Sequence, residues 1–303
     1  MKNTYFNLIE HTFYFPQEGF DLKGEYLTFH GLSLKYLIEK YGTPFKLIYL
    51  PKIADQIKRS RNLFNRAIKK NGYHGRYHFC YCTKCCHFQH VVSAALKENV
   101  NLETSSAFDL DLISNLFKNG EVDKDIFILH NGYKTDEYLQ KIVKLQKDGY
   151  KNSVIILDSM KELKRLLAIA NGEKVKIGLR MAIDEEPQSA YYTSRLGIRP
   201  AKMLEFYRNY IKDNPLVELK MFHFFVDSGI KDNLYYWGEF HKALSKYTEL
   251  KKECETLDSL NIGGGFPIRN HLGFEYDYEY MINEIVKNVK ESCLNKGVPE
   301  PHL

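Results

Sequence analysis

The stretch SVIILDSMKELKRLLAIANGEKVKIGLRM (153–181) decides how the rest of the chain is read. It opens on a β-branched run, turns at Asp158 and Ser159 into a segment with apolar residues at three and four spacing, stops at Gly172 and returns to a second β-branched run. Strand, helix and strand in that order predict two parallel strands joined by a crossover helix, because an antiparallel pair would need only a short turn. Ser159 with Glu162 three residues on predicts a capping box at the helix start, and Gly172 predicts its stop.

The same unit repeats in both directions. Candidate strands are FKLIYL (45–50), RYHFCYCTK (76–84), VNLETS (100–105), DIFILHN (125–131), VELKMFHFF (217–225) and LDSLNIGG (257–264), beside SVIILDS (153–159) and VKIGLRM (175–181). Between them LPKIADQIKRSRNLFNRAIKK, HFQHVVSAALKEN, AFDLDLISNLFKNG and TDEYLQKIVKLQKDG carry apolar residues at helical spacing with charges opposite. A repeating strand–helix unit from residue 44 onward predicts an α/β fold, a TIM-type (β/α)8 barrel, although a doubly wound open sheet gives the same local signals. Residues 1–43 do not share the rhythm: GEYLTFHG (24–31) reads as one extended piece and SLKYLIEKYG (33–42) as a short helix, so 1–43 is expected to form a separate small β region and 44–303 the barrel.

Of 303 residues, 44% are hydrophobic and 27% charged, which suffices for a sizeable core. Lys and Arg exceed Asp and Glu by 43 to 38, and the basic residues are scattered, so nothing points to nucleic acid. No apolar run reaches the roughly 18 residues of a membrane span, and the start, MKNTYFNLIEHTFYFP, lacks a signal-peptide core, which predicts a cytoplasmic protein. Six cysteines in a chain of this length, four of them at Cys80, Cys82, Cys85 and Cys86, do not make a disulfide framework and are expected as thiols.

In such a barrel, chemistry gathers at the C-terminal ends of the strands. Those ends carry Lys84; Glu103 with Ser105 and Ser106; His130 with Asn131; Asp158 with Ser159; Arg180; His223; and the run Gly263, Gly264, Gly265. A lysine ending a buried strand is unusual, because burial that lowers its proton affinity makes it an amine nucleophile toward an aldehyde. The plainer reading is a lysine just past the strand end that reaches to water. Three glycines after a strand suit a phosphate, since backbone N–H groups can approach it unhindered, but they also suit a simple turn. The run is neither a Walker loop nor a dinucleotide fingerprint. Cys82 and Cys85, with His87 and His90 nearby, raise the thought of zinc, but no second similarly spaced pair exists, Cys254 and Cys293 being far apart, so no metal is expected.

Taken together, YCTKCCHFQHVV (81–92), LETSSAFDLDLI (102–113), HNGYK (130–134), LRMAID (179–184), FHFFVDSG (222–229) and NIGGGFP (261–267) resemble, in order and spacing, the alanine-racemase-like, group III pyridoxal-phosphate decarboxylases. That group acts on ornithine, diaminopimelate and arginine, and HVV with HNGYK is most similar to its biosynthetic arginine decarboxylase branch. The resemblance implies pyridoxal 5′-phosphate bound through a Schiff-base lysine at Lys84, His223 stacked on the ring, Ser228 and Gly263, Gly264 and Gly265 on the phosphate, and Arg180 and Glu103 beside the ring, with Asp109 a weaker candidate. The usual His-x-Gly-Ser is altered, with Asp227 where glycine is expected and four residues between His223 and Ser228. It further implies a homodimer and a small amino-acid substrate, most directly arginine converted to agmatine in polyamine synthesis, with ornithine or diaminopimelate decarboxylation or a non-catalytic cofactor-binding role as alternatives. The family's eighth strand, its glutamate on the ring nitrogen and its C-terminal β domain are expected beyond Leu303, leaving a barrel without its eighth strand. A fragment, a second polypeptide and a decayed gene product would each account for that.

Overall fold

A computed structural model describes residues 19–183, 196–269 and 274–303. It divides into two compact units, Met1–Tyr49 with Phe266–Asp277 and Leu50–Gly265 with Tyr278–Leu303. In the first, β1 (Phe20–Lys23), β2 (Tyr26–Phe29) and β3 (Leu32–Ser33) form an antiparallel meander, followed by helix α1 (Leu34–Tyr41). The single extended piece read over 24–31 is β2, bounded by turns at Gly24 and Gly31, both at positive φ. Ser33 caps α1 by accepting from Tyr36 N–H.

The second unit runs α2 (Pro51–Asn71), β4 (Cys80–Cys82), α3 (Gln89–Leu96), β5 (Asn101–Thr104), α4 (Ala107–Lys118), β6 (Ile128–His130), α5 (Asp136–Lys147), β7 (Ser153–Leu157), α6 (Met160–Ala170), β8 (Val175–Arg180), α7 (Pro200–Tyr210), β9 (Val217–His223), α8 (Leu234–Lys251), β10 (Ser259–Asn261) and α9 (Tyr278–Lys296). β4 to β10 lie in sequence order in one sheet of seven strands, each pair parallel. The choice between open sheet and barrel is made by the core. Leu129 of β6, Val154 and Ile156 of β7 and Met221 of β9 form one cluster with Cys80 of β4, and strands at opposite ends of the order can meet only if the sheet curls round on itself. Gly178 belongs to this interior: a Cβ there would lie 2.5 Å from Ile156 Cδ1. The outer faces of the strands, such as Leu102, Ile155 and Leu179, are buried on the helix side.

The seam between the last and first strands is bridged at one end by the residues 302–303. Leu260 N–H donates to His302 O, and His302 N–H to Asp258 O; on the other side Leu303 N–H donates to Arg76 O and His78 N–H to Leu303 O. His302 thus pairs parallel with Ser259 in an isolated bridge at the edge of β10.

Three expectations are corrected. FKLIYL (45–50) is not a strand, because the run finds no ladder partner among the described residues; Phe45 and Leu47 stay exposed. The strand read over 76–84 shrinks to Cys80–Cys82, after which Thr83–Cys85 coils into a 3-10 turn. Ser159 makes no side-chain cap on α6; Glu162 instead accepts from Asp158 N–H at 2.8 Å and turns toward a buried lysine.

Candidate active site

Side-chain alternation carries the interior row Cys80, Leu129, Ile156, Gly178 and Met221 to a second row at the mouth: Cys82, Glu103, Asn131, Asp158, Arg180, His223 and Asn261. The sheet register sets Cys82 beside Glu103, Arg180 beside His223 and His223 beside Asn261.

Two polar networks organise this row. Asn131 Nδ2 donates to Glu103 Oε1 at 3.1 Å and to His223 Nε2 at 3.2 Å, and its Oδ1 accepts from Gly132 N–H. His223 is buried and, among the described residues, its Nδ1 has no hydrogen-bond partner, an orphaned polar atom at the base of the mouth. Burial, and then the cations Arg180, Lys84 and Lys134, hold the His223 imidazole well below its ordinary proton affinity, so the ring is neutral, with its proton on Nδ1. Cys82 donates to Glu103 Oε1 at 3.6 Å, and burial followed by the Glu103 charge pushes its thiol up to about 12.

The second network centres on Lys134, whose side chain is wholly buried. Its ammonium lies 3.0 Å from Glu162 Oε1 and 3.7 Å from Asp158 Oδ2, and donates to Gly132 O and Ile156 O. Asp158 Oδ1 in turn lies 3.7 Å from Arg180 Nη1. Burial raises the Glu162 carboxyl and Lys134 opposes it; burial likewise lowers Arg180 and Asp158 opposes it. Two cations and two carboxylates thus balance one another away from water.

Lys84 is not the buried strand residue expected. Thr83 turns inward, its hydroxyl donating to Glu103 O at 3.1 Å, and the 3-10 turn leaves Lys84 exposed at the mouth. Its Nζ lies 5.7 Å from the centre of the Phe225 ring, and Arg180 Cζ lies 5.6 Å from the same centre.

The glycine loop packs backbone to backbone on the 224–230 loop. A Cβ on Gly263, at φ +72°, would come within 2.7 Å of Phe224 O, and one on Gly229 within 2.6 Å of Gly265 O, so both must be glycine. Ile230 N–H donates to Gly265 O, tying Ser228 and Gly229 to the loop. Gly263 N–H is taken by Asn261 Oδ1 at 2.7 Å, which removes it from the donors expected for a phosphate. Beyond its chain neighbours, Gly264 has no atom of the described residues within 4 Å of where its Cβ would stand, an opening that a ligand can fill.

The structure therefore brings Lys84, Arg180 and Gly263 together around Phe225, Gly229, the neighbour of Ser228, against Gly265, and Glu103 with His223 through Asn131. Asp109 is diverted to the start of α4, where Oδ2 accepts from Ser105 and Ser106 N–H. Asn131 and Asp158 stood among the strand ends without a role, and Lys134 within HNGYK; the signal for Lys134 was a lysine one residue before a helix cap, which burial alone makes informative. The donor set, an exposed amine, a guanidinium, an orphaned imidazole N–H and an open glycine backbone, fits a planar phosphate-bearing aldehyde.

Comparison with known proteins agrees with that chemistry. Residues 54–303 match the family described as "Pyridoxal-dependent decarboxylase, pyridoxal binding domain". The biosynthetic arginine decarboxylase of Prochlorococcus marinus is 24% identical over 297 residues, covering 90% of this chain and 45% of its own, and that of Geobacter sp. is 24% identical over 303 residues, covering 90% and 46%. The chain spans about half the length of these curated relatives. Among solved structures, the biosynthetic arginine decarboxylase of Campylobacter jejuni superposes with a TM-score of 0.74 at 23% identity, over 94% of this chain and 49% of that one. Diaminopimelate decarboxylase of M. jannaschii, in complex with L-lysine, superposes with a TM-score of 0.78 at 18% identity, over 95% and 66%.

Proposed function

Because the chain belongs to the pyridoxal-dependent decarboxylases, through their pyridoxal-binding domain, we propose that it carries the cofactor half of a basic amino-acid decarboxylase, with arginine the substrate and agmatine and carbon dioxide the products. The observation that carries this reading is the placement of Lys84 Nζ and Arg180 over one aromatic ring beside a glycine loop with an open position at Gly264. Arginine is favoured over ornithine and diaminopimelate by the names of the curated relatives and by the HNGYK block, whose lysine anchors the mouth. Action in polyamine synthesis, in the cytoplasm and as a homodimer, completes the proposal.

Within it, Lys84 is the amine that takes up the aldehyde. The N–H groups of Gly264 and Gly265 and the Ser228 hydroxyl hold the phosphate, and Arg180 offsets its charge. Glu103 is oriented by Asn131, and Asn131 by the neutral His223, whose Nδ1 proton remains free for a ligand atom. Pyridoxal 5′-phosphate, when bound, supplies the electron sink for the bond to the leaving carboxylate.

The test is to load the purified chain with pyridoxal 5′-phosphate, reduce with borohydride and map the labelled peptide. Label on Lys84 is expected; no label, or label on another lysine, overturns the assignment. Carbon dioxide release from labelled arginine, ornithine and diaminopimelate then ranks the substrates, and cofactor uptake without release would identify a binding-only protein.

A further inference from the structure

The aromatic ring that faces Lys84 in this barrel is Phe225, not His223. Phe225 is half-buried, its edge held where a side chain on Gly263 would come within 3.0 Å of Cδ2, and both Lys84 Nζ and Arg180 Cζ approach its ring. His223 is 2% exposed, and its Nε2 is committed to Asn131. Phe225 also stands three residues before Ser228, on the loop that the glycines clasp. A planar ring joined to Lys84 at one end and held by the glycine loop at the other must pass over the residue between them.

We infer that Phe225 is the positioning residue on which that ring lies, so that the supporting surface is a benzene face with no nitrogen to donate, accept or titrate. The inference rests on the Lys84 reading above. Its physical basis is that flat rings gain contact area and favourable quadrupole geometry when offset on one another, while His223 serves the mouth indirectly, through Asn131.

The experiment compares the wild-type chain with Phe225→Leu, Phe225→Met, Phe225→Tyr and His223→Gln, following pyridoxal 5′-phosphate titration by visible absorbance and the circular dichroism induced in that band. Borohydride labelling and the melting temperature of the cofactor-free chain are measured alongside. Phe225→Leu and Phe225→Met are expected to weaken binding about tenfold, the order of a lost stacking contact, and to diminish the induced band. Phe225→Tyr restores both, and the label stays on Lys84. Two ringless variants guard against one that fails to fold. If wild type labels at Lys84 but Phe225→Leu binds within about twofold of it with an unchanged band, the inference is overturned alone, as it is if only His223→Gln abolishes the band. Absence of label at Lys84 in wild type overturns the assignment of Lys84, and this inference with it.

Discussion

Lys134 is buried in the barrel mouth between two carboxylates. Its ammonium is out of water and satisfied by two carboxylates and two carbonyls. Lys134→Met would leave Asp158 and Glu162 buried and facing each other with Arg180 as the remaining cation nearby. Loss of one partner from a buried ionic cluster costs roughly 3–5 kcal/mol, so urea denaturation should show that drop. A fall below about 1 kcal/mol would mean that solvent already reaches the cluster. His130 makes a different prediction. Its ring nitrogens lie 2.7 Å from Thr104 Oγ1 and 2.7 Å from Ser153 Oγ, and burial lowers its pKa to about 3. An unfolded histidine titrates near 6.5, so below that pH the unfolded chain binds the proton that the folded chain refuses. Stability from this group is therefore complete above pH 6.5 and is lost as pH falls toward 3, by up to about 1.4 kcal/mol per unit. His130→Asn should flatten that part of the stability profile; an unchanged slope would assign it to other groups.

At the scale of elements, strand identity was legible and strand length was not. Alternating β-branched runs located each parallel strand, because a strand buried on both faces needs apolar residues throughout. Ladder ends depend on which neighbour is available, and a run such as FKLIYL has the right residues with no strand among the described residues to pair with. Likewise the 3-10 turn at Thr83–Cys85 is set by one side-chain bond from Thr83 to Glu103 O, a contact between elements that local pattern does not contain. Ser159 and Glu162 matched a capping box in spacing, yet Lys134 from the preceding loop claimed Glu162. The working box is at α4, where Asp109 satisfies Ser105 and Ser106 N–H. Asp109→Ala should cost about 0.5–2 kcal/mol in thermal or urea unfolding, and Asp109→Asn less, because the amide oxygen still accepts. Equal losses for both would point to charge rather than to the hydrogen bonds. The site was legible to the extent that its chemistry sat at strand ends. Phe225 is not marked by the sequence, because an aromatic in the run Phe222–His223–Phe224–Phe225 reads as core until the ring is seen facing two cations.

For the barrel as a whole, the described residues that span the seam are few. Between β10 and the approach to β4, only residues 302 and 303 are inserted among the described residues, and they make four backbone hydrogen bonds, two to each side. The side chain of Leu303 is buried, Tyr73 donates its hydroxyl to Pro301 O at 2.7 Å, and Gly75 must be glycine because a Cβ would strike that carbonyl. A parallel barrel with an open seam exposes unpaired N–H and C=O groups on both flanking strands, so these few residues carry a disproportionate share of closure. Removing His302 and Leu303 forfeits four bonds at about 0.5–1.5 kcal/mol each and the burial of one leucine, together several kcal/mol. The shortened chain should unfold at distinctly lower urea. Hydrogen exchange at Leu260 and His78 N–H should accelerate far more than at Ile155, which lies opposite in the sheet. Gly75→Ala should give the same pattern from the other side, since it pushes Pro301 away without removing a donor. If both changes leave exchange at Leu260 and His78 untouched, the two residues do not close the seam in solution, and the sheet holds its curl through the interior cluster of Cys80, Leu129, Val154, Ile156 and Met221 alone.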